Sequence, residues 1–198
     1  MAHAPFPPDI VIRWRRLDVF GYEHARIQRV HGGWRFQGKV VVRESGVSAQ
    51  LNYVVECDST WLTRSALVHG EAAGQLVRFA LSADGAGHWT AGDQVLSAVS
   101  GALDIDLGFT PATNTLPIRR LALEVGESAK VRSAWLRFPE LRLEALDQTY
   151  AKEAERTYRY MADIDGEPFT ARLDTDPYGL VVHYEGLWTA DTERSAWE

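Results

Sequence analysis

Thr110-Pro-Ala-Thr-Asn-Thr-Leu-Pro-Ile-Arg-Arg-Leu121 is the stretch of this 198-residue chain that decides its fold. Polar residues at positions 113–115 can accept hydrogen bonds from the first N–H groups of a helix, which is how helices are capped. Pro117 then falls in the first turn, where its missing N–H costs little. The sequence therefore predicts one short α-helix at about residues 115–123.

This predicted helix has an unusual distribution of apolar residues. At 3.6 residues per turn, apolar side chains fall on nearly every side of it: Leu116, Ile118, Leu121, Ala122 and Leu123. Only Arg119 and Arg120 interrupt them. A helix that is apolar all round is normally enclosed by other structure. We therefore expect it to be surrounded by the rest of the chain, which is patterned as strands.

Successive β-strands are the pattern of nearly all the other residues. Apolar and polar residues alternate at 51–57, 77–81 and 169–173, as in half-buried strands. Further candidate strands lie at residues 10–16, 20–30, 34–44, 61–69, 131–138, 141–150, 156–162 and 179–184. Glycine-containing turns separate them, without a linker or a clear repeat. The sequence predicts a single domain, residues 1–198, with a mainly β fold built as an antiparallel barrel, roll or sandwich.

Composition argues against several classes of function. The net charge of −6 and the pI near 5.5 argue against a nucleic-acid partner, since phosphate binding needs a basic face. No apolar run reaches the length of a membrane span, and the N-terminus lacks the pattern of a signal peptide. The single Cys57 cannot form an intrachain disulfide, so we expect a cytoplasmic protein. No metal-ligand spacing, nucleotide motif or other cofactor motif is present.

Several motifs extend the central stretch into a pattern that covers nearly the whole chain. Gly101-Ala-Leu-Asp-Ile-Asp-Leu107 ends two residues before it. Three motifs flank it at a distance: Trp61-Leu-Thr-Arg64, Phe138-Pro-Glu-Leu141 and Gly179-Leu-Val-Val-His-Tyr184. Together they resemble the motifs of a glycolipid-binding family long catalogued as a domain of unknown function. The resemblance implies a long antiparallel sheet that forms a spiral β-roll around one central helix, in a homodimer. It also implies a lipid or glycolipid ligand.

Two acidic residues just before the central stretch are candidates for a site. Asp104 and Asp106 lie two residues apart, so on a strand both point to the same face. Arg119 and Arg120 on the helix are their natural partners. Because buried charges need paired neighbours, this arrangement favours an ion-pair cluster that pins the helix to the sheet. The alternative is an anion or sugar site that uses the same arginines.

Polar and aromatic side chains near the helix are further ligand candidates. Thr113 and Asn114 exceed what capping one helix requires, and a helix N-terminus favours anionic groups. Large aromatic residues are suited to line a cavity or to stack on a sugar: Trp61, Trp89, Trp135, Tyr150, Tyr158, Tyr160 and Tyr184. Tyr150, Tyr158 and Tyr160 also carry a polar tip, which makes them the better candidates for ligand contacts.

The sequence leaves three hypotheses for the function. The leading one is a non-catalytic protein that binds a lipid or glycolipid, with acyl chains in an apolar cavity and the polar head at Arg119, Arg120 and Asn114. The second is a hydrolase-like enzyme that acts on a small polar or sugar substrate, with Asp104 or Asp106 as acid or base. The third is an interaction scaffold without a ligand, which predicts a filled core.

Overall fold

The computed structural model describes residues 4–191, and most of them lie in β-strands. The strands of this part of the chain are β1 (Asp9–Arg16), β2 (Phe20–Val30), β3 (Gly33–Glu44), β4 (Val47–Asp58), β5 (Thr63–Ala72), β6 (Gln75–Ala83), β7 (Trp89–Ala91), β8 (Gln94–Val95), β9 (Asp104–Leu107), β10 (Ser128–Arg137), β11 (Arg142–Ala154), β12 (Thr157–Ile164), β13 (Glu167–Thr175), β14 (Val181–Tyr184) and β15 (Trp188–Ala190). The α-helix within residues 4–191 is α1 (Thr115–Leu121), directly preceded by a 3-10 turn at Ala112–Asn114.

All of these strands belong to one sheet. Its order is β8-β7-β6-β5-β4-β3-β2-β1-β15-β14-β13-β12-β11-β10-β9. β1 pairs with both β2 and β15, so the first and last strands lie side by side in the middle of the sheet. From there two antiparallel meanders extend, β1 to β8 on one side and β15 back to β10 on the other. The sheet does not close into a barrel, because β8 and β9 remain its two edges.

β9 departs from the antiparallel pattern, because it pairs in parallel with β10. Parallel neighbours need a crossover connection, which is usually helical. Here α1 and its 3-10 turn make that crossover, and they lie inside the roll. Every residue from 111 to 118 is buried, as the apolar pattern of the helix predicted. The prediction of a mainly β fold, with one long sheet around one short helix, is confirmed.

The helix ends two residues before the predicted limit of 123. Ala122 has a left-handed backbone conformation, with φ of 47°. Its N–H donates to the carbonyl of Ile118, which closes the helix at Leu121. Leu123 is nevertheless buried. The apolar pattern therefore predicted the burial of this residue correctly, but not its backbone conformation.

Hydrogen bonds from side chains and backbone tie the segment around β9 to the other half of the roll. The backbone N–H of Ile105 donates to the hydroxyl of Thr63 on β5, at 3.0 Å. The N–H of Thr63 donates to the carbonyl of Leu103, at 3.3 Å. On β7, the indole N–H of Trp89 donates to the carbonyl of Ala102, at 2.8 Å. These bonds join the segment around β9, at one edge of the sheet, to β5 and to β7 near the other edge.

Candidate functional site

Thr113 and Asn114 are held by buried hydrogen bonds inside the roll. The hydroxyl of Thr113 accepts from the N–H of Leu107 at 3.2 Å, which ties the 3-10 turn to β9. The side-chain amide of Asn114 donates to the hydroxyl of Tyr150 on β11, at 2.8 Å. No side chain caps α1, because the 3-10 turn already continues its helical backbone. The prediction that residues 113–115 cap the helix is therefore wrong.

Asp104 and Arg120 form the buried ion pair that the sequence predicted. Nε of Arg120 donates to Oδ1 of Asp104 at 3.2 Å, and Nη2 donates to Oδ2. The side chain of Asp104 is 0% exposed and that of Arg120 is 17% exposed. A two-pronged contact of this kind satisfies a buried carboxylate in both geometry and charge. It fixes the second half of α1 to β9.

Arg119 does not join this cluster, so that part of the predicted pairing is wrong. Its Nη1 donates to the carbonyls of Ala4 and Tyr178, at 3.0 and 3.2 Å. Its guanidinium lies 4.9 Å from the ring centre of Trp61 and 5.5 Å from that of Phe6, which is cation–π distance. Arg119 and these aromatic residues close one end of the roll.

Asp106 makes a different contact from Asp104. Its Oδ2 accepts a short hydrogen bond from the side-chain amide of Gln148, whose Oε1 accepts from the hydroxyl of Ser133 at 3.1 Å. Oδ1 of Asp106 accepts no hydrogen bond from residues 4–191. Burial raises the pKa of Asp106 to about 6, against the lowering effect of Gln148 and with a further rise from the charge of Asp104. This carboxyl group therefore changes charge close to neutral pH.

Asp106 lines a cavity of about 230 Å³ within the roll. Its uncharged polar lining residues are Thr110, Asn114, Tyr160 and Tyr184. Its apolar and aromatic lining residues are Leu107, Trp135, Phe138, Leu146, Ile164, Phe169, Leu187 and Trp188. Glu44, the last residue of β3, also lines the cavity. Trp34 lies near the start of the same strand and stacks on Trp61 of the Arg119 cluster. The cavity and the Arg119 cluster therefore occupy opposite ends of the roll.

Tyr160 and Tyr184 bring two hydroxyl groups to this cavity that form no hydrogen bond with residues 4–191. Both side chains are buried, and their ring centroids lie 6.0 Å apart. Burial raises the pKa of both, and the charge of Asp106 adds to the rise, so both stay neutral donors. We call Tyr160, Tyr184 and Asp106 the polar triad. Because a few polar groups in a largely apolar cavity fix the orientation of a ligand, the triad is typical of a binding site for a polar group.

The structure divides the candidate ligand residues into two groups. Those that line the cavity are Asp106, Asn114 and Tyr160, and those that do not are Thr113, Tyr150, Asp104, Arg119 and Arg120. Tyr150 supports the site from behind, since its ring lies 5.3 Å from that of Tyr160 and its hydroxyl holds Asn114. Tyr184 and Trp135, both named among the aromatic candidates, also line the cavity, and Gln148 completes the site. The sequence signal of Gln148 is only an inward position on a strand, which most core residues share.

A second buried carboxyl group, Glu23 on β2, has no clear sequence signal either. Its Oε1 accepts from the hydroxyls of Tyr53 and Thr110, at 2.6 and 2.8 Å, while Oε2 has no hydrogen-bond partner among the described residues. Burial raises the pKa of Glu23 to about 8. Tyr53 reaches it because its ring lies over Gly38, where a Cβ would come within 2.2 Å of the ring. Glu23 is thus largely protonated at neutral pH and links the sheet to the start of the crossover.

Metal and thiol chemistry find little support in the described part of the chain. Residues 4–191 contain no group of three or more His, Cys, Asp or Glu side chains placed to hold a metal ion. Cys57 is buried, and burial raises the pKa of its thiol to about 12, so it is a poor nucleophile. Across the same residues, no helix is long and apolar enough to cross a membrane.

Comparisons with known proteins agree with this architecture. A crystal structure of a DUF1089 family protein from Pseudomonas aeruginosa is 34% identical in sequence, with a TM-score of 0.77. The match covers 89% of this chain and 94% of that chain. A search of curated proteins gave no match. A family model described as "Putative glycolipid-binding" matches residues 11–190. The chain therefore belongs to the family that this model describes.

Proposed function

We propose that this protein binds the carbohydrate part of an amphipathic molecule, in the simplest case a glycolipid, in the cavity lined by the polar triad. The observation that carries the proposal is the triad itself: two tyrosines with buried side chains and Asp106 line one cavity, and their hydroxyls and the carboxylate Oδ1 form no hydrogen bond within residues 4–191. Sugar hydroxyls both donate and accept hydrogen bonds. One sugar ring can therefore satisfy Asp106 as an acceptor and the tyrosines as donors or acceptors.

The size and walls of the cavity favour a sugar over an acyl chain. Its volume of about 230 Å³ is below the roughly 300–1,000 Å³ of sites that enclose drug-sized ligands. Trp135 and Trp188 add aromatic wall beside the triad, with Arg137 and Arg16 over one face of each ring. The lipid part of the ligand would then extend past apolar lining residues such as Ile164 and Leu187. The hypothesis from sequence placed the acyl chains in the cavity and the polar head at Arg119 and Arg120. In this proposal the sugar occupies the cavity and the lipid part lies outside it.

The charges around the cavity favour a neutral sugar over an anionic head. Arg16 and Arg137 are the cations that line it. Arg16 is paired with Asp18 at 2.6 Å and with Glu44 at 3.0 Å. Arg137 is paired with Asp165 at 2.6 Å. Both guanidinium groups are thus already neutralised, and the free oxygen of the triad carboxylate would repel a phosphate or sulfate.

Three probes test this proposal: octyl glucoside, free glucose and a zwitterionic detergent with the same alkyl chain. Below the micelle concentration, octyl glucoside should raise the melting temperature, glucose should raise it less, and the zwitterion should leave it unchanged. Asp106→Asn should weaken octyl glucoside binding at least about tenfold, because hydrogen bonds to charged groups contribute about 1.5–3 kcal/mol. Asp93→Asn, on an exposed turn, is the matched control. Equal shifts with the zwitterion, or none with octyl glucoside, would contradict the proposal.

A second candidate function is acid–base catalysis on a sugar substrate. The observation in its favour is Asp106, whose carboxyl faces the cavity with a pKa raised by burial to about 6. Glu44 is the other carboxyl that lines this cavity. Asp104 does not line it and is paired with Arg120. This candidate requires that the wild type cleave a chromogenic glycoside and that folded Asp106→Asn bind the glycoside without cleaving it. If the wild type binds the glycoside without cleaving it, the catalytic candidate is excluded and the binding function remains.

The assembly and the compartment of the protein stay with the predictions from sequence. We propose a homodimer, which the family resemblance supports, and cytoplasmic residence, which the single cysteine supports. Sedimentation velocity of the purified protein measures the first. Fractionation of the source cells measures the second.

A further inference from the structure

The outer face of β1 to β6 carries a row of basic side chains. The strand registers place six residues directly opposite one another, strand by strand: Arg13, His24, Lys39, Asn52, His69 and Arg78. All but Asn52 are exposed. With strands about 4.8 Å apart, the row extends for roughly 24 Å across the sheet. We call these six residues the basic row.

The full positive charges of the basic row, on Arg13, Lys39 and Arg78, are not neutralised by the protein. None of its residues forms an ion pair within residues 4–191, although most other arginines of the sheet do. Arg15 and Arg43, on the same face, are likewise without an ion pair in this part of the chain. The exposed Glu71 lies on the same face and forms no ion pair with residues 4–191. This face is therefore cationic in a chain of net charge −6.

Exposed apolar residues lie alongside the basic row. The next register position across the same strands holds Arg15, Tyr22, Val41, Gln50, Glu71 and Leu76. Leu76 is 90% exposed, and Tyr22, which is 54% exposed, packs edge-on against the 61% exposed Phe20. Six of the nine large exposed apolar residues of the described chain lie on or beside this face: Val11, Leu17, Phe20, Tyr22, Val41 and Leu76. Apolar and cationic groups are thus gathered on one surface.

We propose that this face docks onto the surface of an anionic lipid membrane. Unpaired Arg and Lys side chains are attracted to the negative headgroups of such a surface. Exposed aromatic and aliphatic side chains beside them can enter the interface between headgroups and acyl chains. A concavity of about 420 Å³ beside them is lined by both Arg43 and Glu71, so its charges are mixed and the attraction to the membrane comes from the basic row. The inference goes beyond the cavity proposal and does not depend on it.

Two other occupants fit this face less well. In a symmetric dimer each copy presents the same patch to its partner, so this face would bring one basic row against another. A nucleic acid would be attracted to Arg13, Lys39 and Arg78. It would, however, leave the exposed apolar side chains in contact with water or phosphate, where Leu76 and Val41 gain nothing. An anionic membrane accommodates the basic row and these apolar side chains at once.

Sedimentation with lipid vesicles tests this inference. Vesicles of phosphatidylcholine alone, or with roughly one third phosphatidylglycerol, separate zwitterionic from anionic surfaces. The wild type should bind the anionic vesicles, bind the zwitterionic ones weakly, and lose affinity as salt is added. Arg13→Glu with Lys39→Glu should weaken anionic binding at least about tenfold. Tyr22→Ser should weaken it at low and at high salt, since its contribution is apolar.

The control is Lys130→Glu with Arg156→Glu, which makes the same change in net charge at exposed positions outside β1 to β6. It should bind like the wild type. If the test variant fails to fold by circular dichroism, the milder pair Lys39→Gln with Arg78→Gln takes its place. The inference is overturned if wild-type protein ignores anionic vesicles, binds both vesicle types equally, or loses binding equally in the control variant. It is also overturned if Arg13→Glu with Lys39→Glu leaves vesicle binding unchanged and alters only the oligomeric state or the binding of RNA. The vesicles contain no carbohydrate, so failure here leaves the cavity proposal untouched.

Discussion

Arg120→Ala should lower the free energy of unfolding by about 3–5 kcal/mol, because it leaves a buried carboxylate without its partner. Asp104 is 0% exposed, and its two oxygens both accept from this one guanidinium. The same pair fixes α1, and hence the crossover inside the roll. Urea denaturation at neutral pH, followed by tryptophan fluorescence, measures the effect. Asp104→Asn combined with Arg120→Met should recover part of the loss, since it removes both charges.

Arg132→Ala is the matched control for this prediction. Arg132 makes the same two-pronged contact with Asp147, at 2.7 and 2.8 Å, but the two side chains are 47% and 69% exposed. An exposed pair contributes about 0–1 kcal/mol. If Arg120→Ala costs no more than Arg132→Ala, the ion pair does not hold the helix in place. That outcome would return Arg120 to the list of candidate ligand contacts.

Between pH 6 and pH 8, the wild type should lose about 2–3 kcal/mol of stability that Glu23→Gln does not lose. Burial raises the pKa of Glu23 from 4.5 to about 8 in the folded state, and unfolding returns it to its ordinary value. Between these two values the folded protein holds a proton that the unfolded chain has released. This contribution is therefore complete below pH 4.5 and is lost as the pH rises to 8. Glutamine resembles the protonated acid in shape and cannot ionise.

Urea denaturation of both proteins across this pH range measures the difference. Burial raises the pKa of Asp106 to about 6, so most of its effect on stability falls below pH 6. Asp106 is also present in both proteins, so its remaining effect cancels in the comparison. The exposed histidines are also common to both, so they cancel in the comparison. Parallel stability curves for wild type and Glu23→Gln would show that Glu23 is already ionised in the folded protein. In that case its contacts with Tyr53 and Thr110 would have to be reinterpreted.

Most of the sheet could be predicted from the sequence, because long strands leave a period of two. The candidate strands at 20–30 and 34–44 coincide closely with β2 and β3. Strands β7, β8 and β15 have only two or three residues, too few to show any period. The parallel pairing of β9 with β10 depends on where the crossover lies in space, and alternation along one strand carries no such information.

The candidate site was predictable only in part, because side-chain partners depend on three-dimensional packing. Spacing alone put Asp104 and Asp106 on one strand, but could not show that one meets Arg120 and the other Gln148. Arg119 and Arg120 are adjacent, so a helix necessarily sends them in different directions. Glu23 had one faint signal: it occupies an inward position between the buried Gly21 and Ala25. An acidic residue in that phase is a candidate for a raised pKa.

Calorimetric titration of octyl glucoside into a Tyr160→Phe, Tyr184→Phe double variant tests the polar triad most directly. Neither hydroxyl has a partner among residues 4–191, so the ligand-free variant should be at least as stable as the wild type. Its affinity for octyl glucoside should nevertheless be at least about tenfold lower. Tyr22→Phe removes the same atom from the outer face and should change neither quantity. An unchanged affinity in the double variant would contradict the account, because the cavity would then bind sugar without its triad or not at all.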